Sequence, residues 1–170
     1  MYERLNVLDW LNSYYNNSTN FSDEKINAVR DFSLLWNLFE SKLGKRHINI
    51  QILSNIAYSI YRSCNQQDFY TPYLQYFQRR YLNEGNNVNQ LFLQLVFRPN
   101  DRKELVESVL KQTERNPVKI IEAILIIIYR LRNNMFHGEK ELHNIHTQYD
   151  NFNNANRFLA ELLMLNKIAT

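Results

Sequence analysis

Apolar residues recur along this chain at intervals of three and four, and residues that cap or break helices separate the runs. A first helix is predicted over 2–14, with Leu5, Leu8 and Leu11 near one side, before the loop signal NNSTN. In SDEKINAVRDFSLLWNLFESKLG, Ser22 is placed to cap a second helix, Asp23 and Glu24 suit its positive end, and Gly44 suits its close. Phe32, Leu35, Trp36, Phe39 and Leu43 form its apolar stripe. A third helix is expected over 47–62 from Ile50, Leu53, Ile56, Ala57 and Ile60, and Pro72 fits the first turn of a fourth. A short helix over 88–97 should end at RPND, and DRKELVESVLKQTER reads as an amphipathic helix. Asn116 and Pro117 mark the start of the next, which runs through IIEAILIII into YRLRNNMFHGEK and should end at Gly138. NNANRFLAELLMLNKIA closes the chain as a helix with Phe158, Leu162 and Leu165 toward the core.

The fold class expected is therefore all-α. Three glycines and three prolines in 170 residues leave little material for a turn-rich β sandwich. One domain over 1–170 is expected, with a core of about 22–168 and residues 1–20 as an N-terminal appendage. The apolar run 120–128 carries Glu122 and is far short of the roughly 20 residues that span a bilayer, so it reads as a core helix. Glu3 and Asp9 interrupt any secretory-signal pattern, and the one cysteine, Cys64, makes no internal disulfide and is expected as a small buried hydrophobe. A cytoplasmic protein with no membrane association is the expectation.

A net charge of +3 permits a nucleic-acid partner only through local basic groups. Arg79 and Arg80 beside the aromatics of DFYTPYLQYFQRRY suggest base stacking, although core packing with a solvated basic edge explains the same pattern better. No glycine-rich phosphate loop, nucleophile elbow, or HExxH or CxxC metal pair is present, and no carboxylate or cysteine completes a recognisable metal site with His137, His143 and His146. No cofactor and no metal is expected.

What remains is the polar cluster that ends the apolar helix. An imidazole titrating near neutrality can move a proton, a guanidinium can hold a phosphate through paired hydrogen bonds, and an amide can orient either one. Arg132, Asn133 and His137 hold the parts needed to cleave RNA without metal, since the ribose 2′-hydroxyl is the nucleophile. The plainer reading makes His137, Arg130 and Arg132 charges that favour the negative end of a helix.

RNNMFHG resembles the signature of the HEPN superfamily, an arginine, a polar residue and, after three more positions, a histidine. The order of elements is similar too, with the FSLLWNLFE helix first, then the apolar helix, the motif and a closing helix. The resemblance implies a compact HEPN-like helical bundle with an extra N-terminal helix. It implies a metal-independent endoribonuclease of toxin–antitoxin or anti-phage defence systems, or else a non-catalytic module for dimerisation, partner or nucleotide binding. Carried over by position, Arg132, Asn133 and His137 are the catalytic residues, and Glu139 stands where some relatives have a tyrosine. On an unbroken helix His137 lies about 20° from Arg130 but about 140° from Arg132. A helix loosened at Asn133 and Asn134 would turn Arg132 inward, and Arg130 is the second candidate for the phosphate. Asn134, Lys140 and Glu40 are supporting candidates, Glu40 by crossing to an arginine. The partners implied are an RNA substrate, an antitoxin or defence partner, and a second copy that brings two motifs together, with Ala123 and Ile126 as apolar contacts beside the groove.

Overall fold

A computed structural model of the protein describes residues 5–16, 21–64, 68–136 and 147–169. Among these residues the fold is all-α, built from α1 (Val7–Tyr14), α2 (Asp23–Lys42), α3 (Ile50–Ser63), α4 (Thr71–Tyr81), α5 (Gln90–Leu93), α6 (Lys103–Leu110), α7 (Pro117–Phe136) and α8 (Tyr149–Ala169). The one β feature described is an isolated bridge between Leu82 and Val88. No described helix is long and apolar enough to cross a membrane.

Asparagine sets many of the helix starts. The side chains of Asn6, Asn49 and Asn89 accept backbone N–H groups at the starts of α1, α3 and α5, and Asn116 accepts from Val118 at 2.9 Å where Pro117 opens α7. Such caps move three expected boundaries. α1 begins at Val7 rather than 2, α3 at Ile50 rather than 47, and α5 shrinks to four residues between the Asn89 cap and Val96, which adopts φ 50°. α6 stops at Leu110 because Gln112 turns left-handed. Ser22 caps α2 as expected, donated to by Lys25 N. After α2, Gly44 N donates to the carbonyls of Phe39 and Glu40, and a Cβ there would come within 2.9 Å of Glu40 O and 2.2 Å of Ile48. That close approach folds the chain back into α3.

α2 and α8 run side by side in the same direction, with Glu24 facing Tyr149 near one end and Lys42 near Lys167 at the other. α4 lies antiparallel on α8, its Tyr73 hydroxyl donating to Glu161 and its Tyr76 hydroxyl to Asn151. The aromatics of this helix and of the turn before it serve packing: Phe69 and Tyr73 close on Phe158, and Phe77 stacks on Tyr81. α7 runs through the middle, against α3 and α6, and residues 120–128 are all buried. Cys64, expected in the core, is half-buried at the end of α3.

Glu122 is fully enclosed within that apolar run. Ser54 Oγ of α3 donates to its Oε1 at 2.5 Å, Lys119 Nζ donates to Oε2 at 2.8 Å, and Arg102 donates to Oε1 from the left-handed residue before α6. Burial alone would raise the carboxyl pKa. The hydrogen bonds from Lys119 and Ser54, with the charges of Lys119 and Arg102, outweigh it and hold the group below its ordinary 4.5. A carboxyl depressed in the folded state stabilises the protein fully above the unfolded pKa, and that contribution is lost as pH falls through the folded value. Glu122→Gln should therefore cost about 1–3 kcal/mol at neutral pH by leaving two cations without their anion. In thermal melts the gap from wild type should narrow steadily below pH 4.5; a gap that stays constant into acid would refute this account.

Candidate functional site

The last two turns of α7 carry four polar residues, and the helical step of about 100° sends Arg130 and Arg132 to different sides. Arg130 turns inward and is only 1 % exposed. Its Nε donates to Leu95 O at 3.1 Å, its Nη2 donates to Asn134 Oδ1 at 3.1 Å, and its Nη1 lies 3.0 Å from Asp101 Oδ2. The contact with Asp101 is a charge pair rather than an aligned hydrogen bond. Asn134 Nδ2 donates to both Gln94 O and Leu95 O at 3.1 Å, and Asp101 accepts Arg98 N at 2.7 Å. These bonds fasten α7 to the end of α5 and to the turn before α6. Arg130 and Asn134 are thus occupied inside the fold, and a guanidinium so enclosed presents no edge to a phosphate.

Arg132 emerges on the α2 side, half-buried. Its Nη1 donates to Asn133 Oδ1 at 3.1 Å, and its Cζ sits 6.0 Å from the centroid of the Trp36 ring. Trp36 is itself packed between Phe39 and Tyr129, at 5.5 and 6.1 Å between ring centroids, so the aromatic surface beneath the guanidinium is fixed. Asn133 is buried and carries its amide against Arg132. The expected loosening at Asn133 and Asn134 is absent. α7 continues unbroken to Phe136, and Arg132 is positioned by Trp36 rather than by a turn of the backbone.

His137 and Lys140 lie outside the described residues, as do Gly138, Glu139, His143 and His146. Glu40 is half-buried one turn beyond Trp36 on α2, where it lines a recess of about 330 Å³ with Asn37, Ser41 and Arg46. Among the described residues no hydrogen bond or ion pair joins it to Arg130 or Arg132, so the expected crossing to an arginine does not occur there. Ala123 and Ile126, expected to offer apolar contact to a second copy, are enclosed in the core at 1 % and 0 % exposure.

No family model, curated protein or solved structure matches this chain. The chemistry of the site must be argued from its own residues. The guanidinium of Arg132 is held over an aromatic face with one edge on Asn133, an arrangement suited to presenting a fixed cation to an anionic ligand. Asp101 and the carbonyls of Gln94 and Leu95 were not singled out by sequence reasoning; the one signal was an aspartate in a Pro-Asn-Asp turn followed by a helix.

The two arginines should separate cleanly in unfolding experiments. Arg130→Ala leaves Asp101 buried without its cation and should cost about 3–5 kcal/mol. Arg132→Ala, at a half-buried site, should cost about 1 kcal/mol or less. Denaturant midpoints of the two variants check this, and equal losses would show that Arg132 is also structural.

Proposed function

We propose that the protein is a metal-independent endoribonuclease of the HEPN type, acting as a toxin or anti-phage defence protein on intracellular RNA. The observation that carries the reading is the division of labour at the end of α7: Arg130 is closed into the fold, while Arg132 is presented on Trp36 one residue before Asn133 and five before His137. An arginine held in one orientation by an aromatic face and an amide, five positions before a histidine in the sequence, is suited to phosphate recognition.

In this reading Arg132 binds the scissile phosphodiester and neutralises the charge that builds on its oxygens. Asn133 holds the guanidinium edge, and Trp36 fixes its plane. His137 takes the proton of the ribose 2′-hydroxyl as the 2′ oxygen bonds to phosphorus. The bond from phosphorus to the 5′ oxygen breaks, and that oxygen leaves with a proton from the imidazolium or from water. The products are a 2′,3′-cyclic phosphate and a 5′-hydroxyl.

The test is incubation of purified protein with several classes of RNA in EDTA, followed by analysis of the new ends. Cleavage giving cyclic phosphate is expected, with Arg132→Ala and His137→Ala each slower by about 10²-fold or more while remaining folded. Trp36→Phe keeps a ring face under Arg132 and should retain more activity than Trp36→Leu. Full activity in His137→Ala would eliminate the mechanism. Absence of cleavage by wild type across all RNA classes would favour the non-catalytic module, with Arg132 holding a nucleotide or partner anion.

A further inference from the structure

α2 carries a polar recess on the flank that Arg132 covers. Trp36 packs on Tyr129 of α7, Leu35 lines a groove shared with α8 about 100° to one side of it, and Asn37 stands about 100° to the other. Glu40 follows one turn after Trp36, about 40° round toward Asn37 and about 6 Å along the axis. Asn37, Glu40 and Ser41 line the recess together with Arg46, which returns from the chain beyond α2. The Arg46 N–H donates to Glu40 O at 3.1 Å, and its backbone is left-handed with φ 67°. The recess holds about 330 Å³, the small end of the range for ligand sites, and three of its four side chains are exposed. Among the described residues, the Glu40 carboxylate and the Arg46 guanidinium make no hydrogen bond or ion pair with each other or with another group. One wall therefore offers acceptors and another offers donors.

We propose that this recess receives a guanine base of single-stranded RNA, from the nucleotide whose phosphate lies on Arg132. The inference rests on the phosphate role given to Arg132 above and names the base that the same site would select. A carboxylate only accepts, and guanine alone among the four bases turns two adjacent donors, N1–H and the N2 amine, toward its two oxygens. Adenine and cytosine each set a donor beside an acceptor that a carboxylate repels, and uracil has one donor between two carbonyls. The other edge of guanine is all acceptor, O6 and N7, the pair that an arginine fork reads. Glu40 and Arg46 thus match the two edges of one base, and Asn37 at the rim adds an amide that suits either edge. No aromatic ring lines the recess among the described residues, so selection is by hydrogen bonds rather than by stacking, which tolerates any base. One turn of helix separates Trp36, beneath Arg132, from Glu40, a step that a single nucleotide spans between its phosphate and its base.

Calorimetric binding to the full chain, with the 3′- and 5′-monophosphates of the four nucleosides as probes, tests the recess without cleavage. In one of the two series the guanosine monophosphate should bind about tenfold or more tighter than the other three. Inosine monophosphate, which lacks the N2 amine, should bind more weakly than guanosine monophosphate. Glu40→Gln turns one acceptor into a donor and should move the preference toward adenine, whose N6 amine and N1 match an amide and whose N7 still meets Arg46. A folding defect would not give that switch. Arg46→Ala should weaken guanosine monophosphate by about tenfold with the melting temperature unchanged. Arg132→Ala should weaken all four nucleotides alike and leave the guanine preference intact. In RNA cut in EDTA, guanine should stand at one fixed position beside the cut, and Glu40→Gln should redistribute the cuts. A guanine preference in binding without any cleavage keeps the recess and removes the nuclease. Cleavage blind to the neighbouring base, equal binding of the four nucleotides, or binding of none of them overturns the proposal.

Discussion

α7 is enclosed on nearly every side, and a buried helix that carries charged and amide groups must bring a partner for each of them. Most of the fold's specific geometry follows from that requirement. Glu122 near one end draws Ser54 from α3, Lys119 from its own helix and Arg102 from the residue before α6. Arg130 and Asn134 near the other end draw Asp101 and the carbonyls of Gln94 and Leu95. The apolar residues between them attract any helix with a greasy face, whereas the two polar networks fix which helix docks where. Arg102 accepts a left-handed backbone, with φ 52°, in the place from which it reaches Glu122, and Asp101 beside it reaches Arg130. One short turn therefore closes both ends of the central helix.

The same requirement sorts the polar cluster at the end of α7. Two arginines two positions apart cannot share a side of a helix, so one enters the core and the other does not. The inward one needs an anion, and Asp101 meets it; the outward one meets an aromatic ring and a neutral amide. Trp36 and Asn133 set the orientation of the outward cation, as Asp101 and the carbonyls set that of the inward one.

Much of the architecture was legible because it rests on short-range bonds. Ser22 with Lys25, Asn116 with Val118, Pro117 at its helix start and Gly44 at the close of α2 act within a few residues, and their signatures stand in the sequence. The unbroken apolar run 120–128 announced a central helix for the same reason: it admits no solvated face. The misjudged boundaries involve local bonds that were available but underweighted. Asn6, Asn49 and Asn89 cap the helices that follow them, whereas the expected starts followed apolar spacing alone.

The candidate site was legible in its residues and not in their roles, because the roles are set at long range. Arg130 takes its anion from 29 positions earlier and its carbonyl partner from 35, and Ser54 meets Glu122 across 68. Helical projection put Arg130 on the His137 side, but a projection does not say which side faces the core. Asp101 decides that, and nothing near Arg130 in sequence points to it. Ala123 and Ile126 suffered the same error. They share a side with Arg130 on a helical projection, and that side of α7 is enclosed in the core. A motif at the end of an all-round apolar helix is therefore read safely only after each cation in it has been matched to, or denied, an anion from elsewhere in the fold.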